Sequence, residues 1–254
     1  MKHIFYGGLY LLILGLVIWV IYFLIPKPAP TCFDNQQNQD ETGVDCGGAS
    51  CISCEEKNIQ DLSVGEAKLF TADRLFSAIA EVRNLNTAFA AKSFDYEFDF
   101  YDSADKILKT VKNNSFISGG GSKDIIEAGV RITAGIPKRA EIKIDNTSVV
   151  WVRAENLSAP PYNLEGVVVT AEDNQIVVSG NITNPNNFLL SKVIINSFLI
   201  DRLGDKIGAS KTEFRDVGPF RVQSFKIFIP ADEELLGLVD MEETTKGVFV
   251  EVFK

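Results

Sequence analysis

Phe94-Asp95-Tyr96-Glu97-Phe98-Asp99-Phe100 places a ring at every second position and a carboxylate at each position between. A strand turns successive side chains to opposite faces, so this stretch covers a core with rings and shows acids to water. The chain's 18 Phe against 2 Met point the same way, since aromatic and β-branched residues suit pleated, half-buried surfaces. An all-β fold is the expectation.

Working outward, Asp102-Ser103-Ala104-Asp105 reads as a hairpin turn and Gly119-Gly120-Gly121 as another break. Further strands are expected at Ile125–Ile132, Ala140–Ile144 and Val149–Val152. Shifting the chain by 100 residues then lays 60–109 over 160–209. Asp73 meets Asp173, Asn84 and Asn86 meet Asn184 and Asn186, Lys92 meets Lys192, and Phe98 meets Phe198. Asp105-Lys106-Ile107 meets Asp205-Lys206-Ile207, and Phe76, Ala78 and Val82 meet Ile176, Val178 and Ile182.

Turn and core residues falling in register together indicate a duplicated unit, each copy near the size of a small sandwich domain. The gapless register puts Ile194, Phe198 and Ile200 on the core face of the second strand, with Asn196 as an exception. Val193, Ile195 and Leu199 on its other side are also apolar. That strand is expected to be covered on both faces. Arg202-Leu203-Gly204-Asp205 should carry the second hairpin turn, and Gly218-Pro219 matches the glycine run. Strands are expected at Phe220–Ile229 and Gly247–Phe253, with Asp232–Glu243 compatible with a short helix in a connection. Ser158-Ala159-Pro160-Pro161 forms a short, stiff boundary, dividing the chain into 59–155 and 156–254.

Phe98-Asp99-Phe100-Tyr101-Asp102 resembles the F-x-L-Y-D signature of small extracytoplasmic domains. Asn184-Pro185-Asn186 is similar to the strand-ending motif of late-embryogenesis-abundant type 2 domains. The resemblance covers roughly residues 60–254 as two copies. It implies two tandem immunoglobulin-like β-sandwich domains with no catalytic role, Phe98, Phe100, Tyr101, Asp102, Asn184, Pro185 and Asn186 being the motif positions. Asp201-Arg202 stands where the second copy would carry the Tyr-Asp pair, and Leu85 where the first would carry proline.

Ahead of these units, Ile4–Ile25 has no charged residue. As a helix it is about 33 Å long, enough to cross a hydrocarbon core of about 30 Å. Tyr6 and Tyr10 sit toward one end, Trp19 and Tyr22 toward the other, where aromatic side chains suit the interface. Pro26-Lys27-Pro28-Ala29-Pro30 stops it. The stretch is longer than a cleaved signal's apolar core and lacks an Ala-x-Ala site. A retained transmembrane helix at 4–25, behind a tail at 1–3, is expected, with membrane lipid as its partner. Lys2 and Lys27 barely decide its orientation.

Cys32, Cys46, Cys51 and Cys54 all lie in a Pro/Cys-rich stalk at 26–58 that has few apolar residues and needs staples to order it. Two disulfides, in any of three connectivities, are the leading expectation; a four-thiolate zinc site and a redox-active C-x-x-C compete with it. Disulfides require an oxidising compartment, which sets the N-terminus in the cytoplasm and the rest of the chain outside. Asp34, Asn38, Asp40, Glu41 and Asp45 are candidate Ca²⁺ ligands by density of oxygen groups, although the EF-hand pattern is absent. A solvated acidic loop is the competing reading. Asp40-Glu41-Thr42-Gly43-Val44-Asp45-Cys46-Gly47-Gly48 followed by Cys51 and Cys54 resembles a short repeat of microbial surface proteins, which implies a cell-surface setting and no reaction.

The net charge of −9 argues against nucleic acid, since phosphate binding needs surplus Lys and Arg. His3 is the single histidine, so triad and His-ligated zinc chemistry are closed to the outer domains. Apart from a possible Ca²⁺, no cofactor is expected. A non-enzymatic, membrane-anchored surface protein with a protein or cell-surface partner is the expectation. An accessory subunit of an envelope complex is the alternative, and a carboxylate hydrolase built on Asp95, Glu97 and Asp99 a distant third.

Overall fold

The computed structural model describes residues 2–24, 31–72 and 74–254. Ile25, the Pro26–Pro30 exit and Asp73 therefore lie outside the described residues. The chain forms two compact units, Met1–Ile59 and Gln60–Lys254.

In the first unit, α1 spans Lys2–Leu24. Its described side chains from Tyr6 to Ile21 are exposed, Leu12 and Trp19 among the most so. No charge occurs after Lys2, so the helix has no polar face. Over the described residues alone, no helix is long and apolar enough to cross a membrane. The side chains of residues 2–5, 9, 11 and 22–24 stand outside that set, which leaves an interrupted part of the helix. After the cysteine loop comes one turn of helix, α2 (Cys54–Lys57), capped by the Ser53 hydroxyl accepting from the Glu56 N–H.

The second unit is built of antiparallel strands. Its first half holds β1 (Ser63–Val64), β2 (Lys68–Ala72), β3 (Leu75–Arg83), β4 (Phe89–Tyr101), β5 (Ile107–Ile117), β6 (Ser122–Arg131) and β7 (Arg139–Arg153). The second holds β8 (Asn163–Glu172), β9 (Gln175–Thr183), β10 (Leu190–Ile200), β11 (Lys206–Val217), β12 (Val222–Pro230) and β13 (Val248–Phe253). Two short helices, α3 (Glu233–Leu238) and α4 (Met241–Lys246), fill the connection before β13, where the sequence suggested one. The two strands expected at 140–144 and 149–152 are one strand, β7. The register shifts of β4 against it, between Ala91 and Asp95, absorb the break in pattern.

Each half is two sheets with the same order. In the first half, β3 lies between β6 and the β1–β2 edge, and β4 between β5 and β7. In the second half, β9 lies between β12 and β8, and β10 between β11 and β13. Phe94, Phe98 and Phe100 are fully buried in the first core, against Val82, Ile125 and Ile142. Burial of each ring contributes roughly 2–3 kcal/mol. Ile176, Ile195, Leu199 and Ile227 fill the second core.

The gapless register of 100 holds only in part. It is right for β3 and β9, and for Asn84 and Asn184, whose amides donate to Phe89 O and Phe188 O respectively. Those acceptors are 99 residues apart, because the second copy is one residue shorter between its asparagines and its phenylalanine. Through β4 and β10 the offset stays at 99. Phe94, Tyr96, Phe98 and Phe100 thus correspond to Val193, Ile195, Ser197 and Leu199, which face the second core. Ile194, Phe198 and Ile200 turn the other way. Lys92 and Lys192, and Asp105-Lys106-Ile107 and Asp205-Lys206-Ile207, are not structural equivalents. The hairpin turns confirm the slip: Asp102 N–H donates to Lys106 O, and Asp201 N–H to Asp205 O. The second turn begins at Asp201, one residue before the expected Arg202.

Covering of β10 on both faces is what the structure shows. Phe198 and Phe249 pack with Ala209 against Ile79 and Ile126 of the first half, so the two halves share a small third core.

The cores exchange bulk between copies. Ala80 lies beside Ile125 in the first half; Gly180 lies beside Phe225 in the second. A Cβ on Gly180 would sit 2.9 Å from the Phe225 ring. Gly180→Ala is therefore expected to destabilise the unit by about 1–3 kcal/mol through overpacking. Urea unfolding checks this as a lower midpoint at unchanged slope.

Candidate functional site

The cysteine loop is ordered by two bridges, Cys32–Cys51 and Cys46–Cys54, separated by 19 and 8 residues. All four sulfurs are thereby taken up in pairs. Of the candidate Ca²⁺ ligands, the side chains of Asp34 and Asn38 meet, and the carboxylates are turned to the loop's own donors. Asp45, nearly buried, accepts from the N–H groups of Asp34 (2.9 Å) and Asn35 (3.0 Å). Glu41 accepts from Asn38 N–H at 3.1 Å, and Asp40 from Ala49 N–H. Asp34 accepts from Gln36 N–H and the Asn38 amide, both at 2.9 Å.

These carboxylates thus satisfy the donors of a loop too short for regular structure. Among the described residues the group with metal-ligand spacing is Cys32, Glu41 and Cys51, two of which are bonded to each other. Gly47 and Gly48 have φ of +81° and +73°, and a Cβ on Gly48 would meet Asp40 O at 2.4 Å, which accounts for the glycine pair after Cys46.

The motif residues are structural. Asp102 Oδ1 accepts from Ala104 N–H (2.8 Å) and Lys106 N–H (3.0 Å), and Asp201 does the same for Leu203 and Asp205. The turn aspartate therefore exists in both copies, and Ile200 stands in place of Tyr101. Asn184, fully buried, donates to three carbonyls and accepts from Asn186, whose amide donates to Pro161 O at 2.8 Å. It ties the linker and two loops together; Pro185 lies between the pair.

Asp95 and Glu97 lie on the outer sheet face with Lys112 3.0 Å from Glu97. Asp99 is not solvated with them. It is 2% exposed, 2.7 Å from Lys143, and accepts from Thr110. Burial alone would raise its pKa; the bonds from Lys143 and Thr110 outweigh it and hold the carboxyl below its usual value. The reciprocal bond to Asp99 holds Lys143 protonated. Asp99 is a satisfied ion pair with its charge already neutralised, not a poised acid.

Between the halves, sequence reading missed a polar lock. Lys123 Nζ lies 2.6 Å from Glu251 and donates to Ser115 Oγ and Phe116 O. Asn196 donates to the other Glu251 oxygen at 3.3 Å, which explains the polar exception on β10. Burial pushes the Lys123 ammonium down, with the Glu251 charge acting against it. Lys211 sits 3.1 Å from Glu127, which accepts from Tyr96 OH at 2.8 Å, and Lys206 pairs with Asp124. The available sequence signal was Glu251 itself, a charge standing between Val250 and Val252.

Beside this lock opens a groove of about 590 Å³, lined by residues of both halves. Its walls are β2, the start of β11, the end of β12 and α3, with residues of β3, β6 and β9 also lining it. Leu75, Phe228 and Leu238, which line it, each have between a third and a half of their surface exposed. The strand edges bring backbone groups, α3 brings the apolar cap, and Asp232 and Glu234 stand on the rim. Such a site suits binding by shape and hydrogen bonding.

No protein-family model and no curated protein matches the chain. Among solved structures, it is similar to red sea bream transglutaminase at 11% identity and a TM-score of 0.23, over 78% of this chain and 32% of that one. A likeness that slight bears on neither fold detail nor activity.

Proposed function

We propose that the chain is a non-enzymatic surface protein: α1 holds it in a membrane, the disulfide loop stiffens the exit, and two immunoglobulin-like sandwiches present a binding surface outside the cytoplasm. The observation that carries this reading is the composition of α1, a 23-residue helix without a charge after Lys2. At about 1.5 Å per residue it is roughly 35 Å long, sufficient for a hydrocarbon core. Two disulfides next to it support an oxidising side. The duplicated two-sheet halves fit sandwich modules, which bind through end loops and edges.

Carbonate extraction at high pH tests the anchor. The chain is expected to stay in the membrane pellet, and its non-reduced mass to fall about 4 Da below the fully reduced mass, one hydrogen per sulfur in two bridges. Release into the supernatant, or four free thiols in living cells, would contradict the reading.

A further inference from the structure

We infer that the groove between the halves is a docking site for an extended peptide strand carrying alternate apolar and basic side chains. This rests on the reading of the β unit as a binding module and names the chemistry of its partner.

Three observations converge. First, the groove is bordered by strand edges. Among the described residues, β2 pairs only with β3, β11 only with β10 and β12 only with β9. Leu69–Thr71 of β2, Ile207–Ser210 of β11 and Phe228–Pro230 of β12 line the groove, and an edge strand carries a row of N–H and C=O groups that an added strand satisfies. Second, the apolar side chains there are left open. Phe228 and Leu238 are each 50% exposed, beside a space of about 590 Å³ that accepts large aliphatic or aromatic side chains. A strand laid on an edge turns every second side chain inward, which matches an apolar floor.

Third, the rim is acidic. Asp232 and Glu234 line the groove, and among the described residues no Lys or Arg does. A strand's outward side chains would meet these carboxylates, so basic residues complement them. The chain's own charge of −9 disfavours a second copy as the occupant, because like charges would be brought together.

The test uses the full chain in detergent micelles and fluorescence anisotropy of a labelled acetyl-Arg-Val-Arg-Val-Arg-Val-Arg-amide. Saturable binding is expected. It should weaken at least tenfold for the peptide with Glu in place of Arg, and at least tenfold for the Arg peptide N-methylated at every amide, which keeps charge and side chains but removes the donors. Leu238→Lys and Phe228→Lys, both at exposed positions, should each weaken it tenfold or more. Val222→Lys, at the other end of β12, should leave it unchanged.

No saturable binding, equal binding of the N-methylated peptide, or indifference to both groove substitutions would overturn the inference. So would a stable dimer of the chain alone that Leu238→Lys dissociates. Because the measurement is made in micelles, its failure leaves the anchoring of α1 untouched, and failure of anchoring leaves this result standing.

Discussion

Glu251→Leu is expected to cost the β unit about 3–5 kcal/mol, among the largest single losses available in the chain. Glu251 is 8% exposed and lies on β13 of the second half. Lys123, on β6 of the first, keeps 15% of its side-chain surface exposed and has Glu251 as its ion-pair partner at 2.6 Å. Removing the carboxylate leaves an ammonium that is poorly hydrated and without its counter-charge. Ser115 and Asn196 lose an acceptor at the same time.

Lys123→Met combined with Glu251→Leu should recover most of the loss, because an apolar pair of similar volume has no charge to desolvate. Urea unfolding followed by Trp151 fluorescence, in a Trp19→Phe background, measures all three chains. The unfolding should remain one transition in each, since the third core still joins the halves. A loss below about 1 kcal/mol for Glu251→Leu would show that the halves do not depend on the pair.

The second large effect concerns the cysteine loop. Within 31–59 the single buried apolar side chain is Cys46. Phe33, the one ring there, is 88% exposed. No core exists to hold the segment if the bridges are cut. Loop-closure entropy assigns about 3 kcal/mol to a bridge spanning 19 residues and about 2.5 kcal/mol to one spanning 8. A loop of this size has no comparable reserve. Reduction is therefore expected to unfold the loop completely while leaving the β unit intact. Amide exchange checks it: protection at Thr42, Gly43, Cys46 and Gly47, whose N–H groups are bonded within the loop, should vanish on reduction. Protection in β4 and β10 should not change. Surviving protection at Cys46 would mean that the carboxylate caps alone suffice.

Much of the β architecture was legible because period-two alternation is a local signal. Phe94 to Phe100 announces a buried face with no help from elsewhere. The duplication was legible too, but its register was not. One residue is missing between Asn184 and Phe188, and a compensating residue appears in β11, so a gapless overlay agrees at both ends and is wrong between them. Apolar residues on both faces of β10 hid the slip, since Ile194 and Phe198 are as hydrophobic as Val193 and Ile195. Only the place of Asn196 betrayed it, and its reason, Glu251, is 55 residues away.

What the candidate Ca²⁺ ligands do within the loop was hidden for a different reason. Composition reports carboxylate density and not where oxygens point, and here they point at the loop's own N–H groups. The groove was invisible because it exists only where β2, β11 and β12 meet, and no local pattern records the meeting of strands so distant in sequence.

If α1 lies in the membrane with the β unit displayed on its outer side, protease added to sealed, right-side-out cells or spheroplasts, without lysis, reaches the β unit and not α1. An epitope on Lys254 should then be lost from intact cells while an N-terminal fragment bearing α1 stays in the membrane pellet. Survival of the epitope until the membrane is opened would place the β unit on the inner side.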